Sequence, residues 1–399
     1  MRFKKRRFRC TGPVNFGHQP VSKKYVYEIT NDRTRLAGVE SLRGIAVALT
    51  FLMHFVWFEA ATFLTVDVER VNICRDGSLE KAIVCISYAS LYGVYIFFMI
   101  SGFLIGRQWL NRNDLSLFRF LRARAYRIFP AFWVALMGAF LLAVYRSVPI
   151  STSAFDWFAN AFLINWFAPA ISPPWLIVSW SLQVEWIFYL IMPLGALLLK
   201  GVPEKYRCVM LWIVTLLLVI ALKGIGERHF AYPLYFAIGI TLSLTRVEQA
   251  KSVVRRTPLA LLIALILFIQ VAYAFLEPIG TPKAAWQITW FDAFAGAFAM
   301  CGGLAFIKCA LEPPTWLLGD WLQWLGKHSY SFYLWHLSVL ILVFHGANNS
   351  EIHASLQQVN WALRWLVLIG VSLLATVAAS AASYRMFEAP YFSAVTRGR

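Results

Sequence analysis

Ten stretches of this chain are apolar over roughly the length of a bilayer-crossing helix: 42–64, 86–106, 129–145, 177–199, 208–223, 231–245, 258–276, 286–308, 328–345 and 361–386. A span needs about 20 predominantly apolar residues. In lipid, helices bundled together satisfy their own backbone hydrogen bonds without water. Hydrophobic residues make up 59% of the 399 and charged ones 14%. A soluble domain is about 45–50% apolar and about 25% charged, so a chain this greasy excludes both a water-soluble enzyme and a disordered one. The fold class expected is all-α, a polytopic transmembrane helical bundle of ten spans. The stretch 155–169 is rich in Trp and Asn and broken by Pro169, Pro173 and Pro174. It reads as an interfacial or re-entrant segment, with eleven spans as the alternative count.

Charge in the connections gives the orientation. The net charge is +17, and in a chain of this class excess Lys and Arg mark cytoplasmic loops before they mark nucleic-acid binding. Residues 1–43 carry eleven Lys and Arg against Glu28, Asp32 and Glu40; residues 107–127 carry six Arg against Asp114. The segments 200–207 and 246–256 are also net basic, while 65–85, 146–156, 224–230, 277–285 and 346–360 are short or mixed in sign. This alternation fits ten spans with both termini cytoplasmic. The organisation expected is a basic cytoplasmic tail at 1–35, a membrane domain at 36–392 and a short cytoplasmic tail at 393–399. The first 35 residues hold no apolar core of the signal-peptide kind, and the run Arg2 to Arg9 reads as a topology anchor drawn to anionic lipid.

Ionisable residues inside apolar runs are costly in lipid and mark function. Arg43 opens the first run and His54 follows in the same helix, about 16 Å deeper at 1.5 Å per residue. Alone, Arg43 also reads as a snorkelling anchor and His54 as a core histidine. Arg122, Arg124 and Arg127 close the second basic loop, with Arg124 and Arg127 on one face if helical. Guanidinium forks suit phosphate oxygens. Ser179-Trp180-Ser181-Leu182-Gln183-Val184-Glu185 opens the fourth run, and a carboxylate at that depth must be neutral, paired or wet. His54 or an Arg is the partner expected for it. His336 stands two turns into the ninth run with Ser329 and Tyr333 on neighbouring turns, either as a second functional imidazole or as a helix–helix hydrogen bond. The six cysteines, Cys10, Cys74, Cys85, Cys208, Cys301 and Cys309, form no metal-ligand spacing, and no metal is expected. Cys74 and Cys85 fall in the first outer loop and would form a disulfide in an oxidising compartment.

Taken in order, these motifs resemble the membrane acyltransferase-3 family. They are Arg43-x10-His54, Phe97-Phe98-Met99-Ile100-Ser101-Gly102-Phe103-Leu104, Arg124-x-x-Arg127-Ile-x-Pro130, Trp180-Ser181-Leu182-x-x-Glu185, Ser329-Tyr330-Ser331-x-Tyr333-Leu334-Trp335-His336 and Phe387-Glu388-x-Pro390. The likeness runs from about Leu36 to Phe392.

The resemblance implies a multi-pass protein of the cell inner membrane. It would move an acyl group, acetyl first of all, from cytoplasmic acyl-CoA to a hydroxyl of a carbohydrate or lipid-linked glycan. By matching position, Arg43 and His54 are the essential pair, and Arg124 and Arg127, with Arg122 beside them, belong to the acyl donor. His54 would be the general base, with Glu185 or another carboxylate orienting its ring. Trp180, Ser181, Tyr333 and His336 are the side chains expected around the substrates. Direct transfer and an acyl-His54 intermediate both remain open. Some relatives carry a further esterase-like domain, which the sequence past Arg399 is not expected to supply. A proton-coupled transporter or flippase of a glycan precursor is the alternative, since buried His and Glu would serve that too; no internal repeat supports it.

Overall fold

The computed structural model describes residues 33–64, 79–88, 92–111, 116–165, 172–225, 231–276 and 290–392. Among these residues every regular element is helical. The helices are α1 Arg33–Phe63, α2 Leu79–Tyr88, α3 Tyr92–Asn111, α4 Leu117–Tyr145, α5 Ala154–Ala161, α6 Ser179–Gly201, α7 Glu204–Gly224 and α8 Tyr232–Leu244. They continue with α9 Val247–Arg255, α10 Leu259–Leu276, α11 Trp290–Leu311, α12 Asp320–Lys327, α13 Ser329–Ala347, α14 Ser350–Gln358 and α15 Trp361–Ser383. A π-helical turn, Tyr384–Glu388, extends α15.

The protein is an all-α, multi-pass membrane bundle, with fewer than ten full spans among the described residues. Seven helices among the described residues are long and apolar enough to cross, and an eighth forms if α9 and α10, bent by 69°, count as one. Each of the ten apolar runs does hold a helix. The shortfall is one of length: α8 has 13 residues, only about 20 Å at 1.5 Å per residue against a core of about 30 Å. In α11 the stretch that qualifies as apolar helix is Ala295–Leu311, shorter than a full span. The alternative eleventh span also fails, because the stretch from Phe155 folds as α5, eight residues behind a capping box of Ser153 and Asp156. Hydrogen bonds from the Ser151 and Ser153 hydroxyls hold the Asp156 carboxyl down at about 2. Cys74, the side chain of Cys85 and the run Arg2 to Arg9 lie outside the described residues.

The helices form an inner and an outer layer. More than half of the span window is buried in α1, α3 and α13, against 6% in α7. Thus α7 turns Val209, Ile213, Leu217 and Ile220 outward, a surface suited to lipid. Packing inside relies on missing side chains. A Cβ on Gly102 of α3 would stand 2.3 Å from the Phe236 carbonyl oxygen of α8, and one on Gly239 would stand 2.1 Å from that of Met99. Small residues of this kind let membrane helices touch backbone to backbone. Ser243 then reaches across to donate to the Phe103 carbonyl at 3.0 Å. Near the other end of α1, Gly326 of α12 lies so close to the Glu40 carbonyl that any Cβ there would clash. That contact seats the Arg43 turn of α1 against the corner from which α13 departs.

At the far end of α1 the bundle is tied by charge. Arg364 of α15 donates from Nε to Glu59 of α1 and from a terminal nitrogen to Glu80 of α2, both at 2.7 Å. Its guanidinium also sits 4.4 Å from the Phe63 ring centroid.

Candidate functional site

A cavity of about 80 Å³ lies between α1, α3, α4, α6 and α13. Arg43, Arg124 and Arg127 line it together with Glu185. The fold brings these residues together simply: α1 delivers Arg43 near its first turns, and α4 carries Arg124 and Arg127 one turn apart. Arg124 is held above two rings, 5.4 Å from the centroids of both Phe120 and Tyr189, and donates to Gln108 at 3.3 Å. Arg127 lies 5.6 Å from the Phe392 ring. Arg43 keeps Glu40 at 3.8 Å, one turn back on its own helix. The lining itself thus carries three guanidiniums and the carboxylate of Glu185, with Glu40 beside Arg43 just outside it. That is the electrostatic form of an anion site.

Glu185 accepts hydrogen bonds from Ser101 and from Tyr189. The expected partnership with His54 is therefore corrected. The carboxylate is fixed on the cavity wall by hydroxyls, and Tyr189 lies four residues on, along the same helix face. Tyr330 and Tyr333 of α13 close the cavity on another side. The Tyr330 hydroxyl donates to the Ile128 carbonyl at 2.7 Å, and that of Tyr333 to the Val178 carbonyl at 2.8 Å. Ser181 lines the cavity as well and stands 2.7 Å from the Tyr333 hydroxyl.

Four sequence candidates stand apart from this lining: Arg122, Trp180 and the two imidazoles of His54 and His336. Arg122 is exposed, with its guanidinium 5.8 Å from the Phe118 ring; two residues of helical rotation, about 200° from Arg124 at 3.6 residues per turn, turn it away from the face that Arg124 and Arg127 share. Trp180 packs edge-on against Phe98.

The imidazoles lie deeper. His54 is partly buried and His336 fully so. Their rings are 5.0 Å apart, with His336 Nε2 3.1 Å from His54 Nδ1. His54 Nδ1 is also 3.0 Å from the Thr50 carbonyl, and His336 Nδ1 is 2.6 Å from that of Tyr333. The group that touches the His54 ring is thus another imidazole, not Glu185, and His336 meets His54 rather than the cavity. The cavity lining includes neither histidine. It stops at Tyr333, whose ring centroid is 5.5 Å from that of His336.

Ser101, Tyr189 and Tyr330 stood out in the sequence only as members of longer motifs, and Thr50 did not stand out at all. Spacing offered a signal for two of them, since Thr50 and Tyr189 each stand four residues from a singled-out side chain, the helical neighbour distance. Among the described residues, no group of His, Cys, Asp and Glu could hold a metal ion.

Comparison with known proteins gives a family match described as an acyltransferase domain over residues 36–381. YrhL of Bacillus subtilis (strain 168), provisionally named a peptidoglycan O-acetyltransferase, is 23% identical over 92% of this chain and 56% of its own length. The acyltransferase MdmB of Streptomyces mycarofaciens is 26% identical over 40% of this chain and 42% of its own. BcsY of Komagataeibacter xylinus, provisionally named a membrane-bound transacylase, is 27% identical over 76% and 72%. The chain spans about half the length of the first two of these relatives. No solved structure gives a significant match.

Proposed function

Because the chain belongs to the membrane acyltransferase-3 family, we propose that it is an integral-membrane O-acyltransferase, moving an acyl group, acetyl first of all, from acyl-CoA to a hydroxyl of a carbohydrate or lipid-linked glycan. The single observation that carries this reading is the arginine-lined cavity at one end of α1, with an imidazole farther along the same helix. The depth from Arg43 to His54 is about 16 Å, which the extended pantetheine arm of CoA covers. A relative named for peptidoglycan O-acetylation supports a glycan as the acceptor, and family membership favours the enzyme over a transporter or flippase.

In this reading the basic end of the bundle faces the cytoplasm of a cell inner membrane, as positive loops direct. Arg43, Arg124 and Arg127 take the phosphates of the donor. The thioester end passes inward toward Tyr333, and donor binding moves that ring aside so that the thioester carbonyl meets His54. Held there, the acceptor hydroxyl needs positioning and removal of one proton. Its oxygen attacks the thioester carbonyl carbon while His54 takes the hydroxyl proton. The carbon–sulfur bond then breaks, and the thiolate recovers the proton from the imidazolium to leave as free CoA thiol. Glu185, Ser101 and Tyr189 keep the inner wall of the donor channel polar, and Ser181 and Tyr333 flank the reacting end.

The test uses full-length protein in nanodiscs, with acetyl-CoA as donor and envelope membranes from a deletion strain as acceptor. Thiol release that requires those membranes, together with new acetyl esters found by mass spectrometry, is the expected result. Thiol release indifferent to the membranes, or accumulation of an unmodified glycan across the bilayer, would refute the transferase reading.

A further inference from the structure

Hydrogen-bond partners of the two imidazoles dictate where their protons sit. A carbonyl oxygen only accepts, so His336 Nδ1, 2.6 Å from the Tyr333 carbonyl, carries hydrogen. A neutral ring has one N–H, and His336 Nε2 is therefore a bare lone pair. The same reasoning puts hydrogen on His54 Nδ1, which faces the Thr50 carbonyl at 3.0 Å and His336 Nε2 at 3.1 Å. One chain of donors runs from His54 through His336 to the backbone of α13. At its head, Nε2 of His54 carries the bare lone pair.

We propose that His336 is a positioning residue that locks His54 in the Nδ1–H tautomer and so makes Nε2 the proton-accepting atom. The proposal rests on the reading of His54 as the base. Thr50 supplies an acceptor from one turn back on the same helix. His336 adds an acceptor from a different helix, and it is itself rigid. It is fully buried, and its Nδ1 is held at 2.6 Å by the backbone carbonyl of Tyr333, which stays in place when that residue's ring moves. Which ring nitrogen of a histidine reacts is set by the bond that the other nitrogen makes. When Nε2 takes the acceptor's proton, the Nδ1–H bond to His336 becomes charge-assisted and strengthens. His336 thereby steadies the imidazolium without touching either substrate.

The direct measurement is nitrogen NMR of full-length protein labelled with ¹⁵N-histidine in nanodiscs at neutral pH, the His54 signals being assigned by their loss in His54→Gln. The expected spectrum has His54 protonated at Nδ1 and bare at Nε2. A ring protonated at Nε2, or an exchanging mixture of both tautomers, overturns the proposal. Kinetics with acetyl-CoA and deletion-strain membranes provide the second readout. His336→Gln keeps a carbonyl acceptor and should retain kcat within about tenfold. His336→Leu should lower kcat about 100-fold, the lower end of what a general base contributes, with the donor KM within about twofold. Wild-type kcat in His336→Leu, or a Gln variant no better than Leu, counts against the lock. Normal turnover in His54→Gln would instead remove the base reading itself, so the two failures are told apart.

Discussion

Two groups of charge lie near opposite ends of α1 and follow opposite rules. Around Arg43, three guanidiniums line an open cavity with a single carboxylate on its wall. Around Arg364, two carboxylates close on one guanidinium at 2.7 Å each, with Glu59 fully buried. The first group sets three guanidiniums along one cavity, with Glu40 beside Arg43. The second has its cation shared between two carboxylates. A buried ion pair is a strut that joins helices; arginines stacked on rings beside a cavity are waiting for an anion. Stoichiometry and space, rather than the mere presence of arginine in an apolar bundle, separate binding from bracing.

Five substitutions break or sharpen that contrast. The largest effect belongs to neither cluster but to the imidazole between them. His54→Ala should cut acetyl transfer by about 10²–10⁴-fold, the span of general-base contributions, with acetyl-CoA binding unchanged in a titration of the same preparation. Arg364→Ala comes next and is read in stability. Removing one partner of a buried pair costs about 3–5 kcal/mol, so the unfolding midpoint should fall steeply while donor affinity in the folded fraction holds. A loss of donor affinity there would erase the distinction between the two clusters. Arg124→Ala and Arg127→Ala should each weaken acetyl-CoA binding about 10–100-fold, since a hydrogen bond to a charged group is worth about 1.5–3 kcal/mol. Calorimetry on the purified variants measures this. Arg122→Ala sets the floor: exposed and off the cavity lining, it should leave donor affinity within about twofold under the same salt.

The contrast also explains how much could be read in advance. Each of the ten apolar runs contains a helix because lipid imposes its rule on every span separately, residue by residue. The number that can actually cross was not legible, because crossing depends on where a helix stops. Thr245 ends α8 after 13 residues, and the only warning was the length of the apolar run 231–245 itself, which falls short of the roughly 20 residues of a span. Arg43, Arg124 and Arg127 could be grouped because charge, helical spacing and motif order all pointed to one end of the bundle. Arg122, two residues from Arg124, could not be excluded without the rotation of α4. The pairing of His54 with His336 was out of reach, since the two stand 282 positions apart and only the packing of α1 on α13 joins them. Glu185 was singled out for its depth, yet depth says nothing about partners, and the hydroxyls of Ser101 and Tyr189 took the place foreseen for a histidine. The Arg364 cluster went unnoticed because its three members are scattered over three helices with no shared motif.

The most direct trial of the account is an electron-microscopy structure of the full-length protein in nanodiscs with a non-hydrolysable acetyl-CoA analogue. The account predicts the nucleotide phosphates among Arg43, Arg124 and Arg127, Tyr333 swung from its present position, and the thioester-mimicking carbonyl about 3–3.5 Å from where a His54-bound hydroxyl would attack. Density for the nucleotide elsewhere, or an acyl end still walled off from His54 by an unmoved Tyr333, would contradict it.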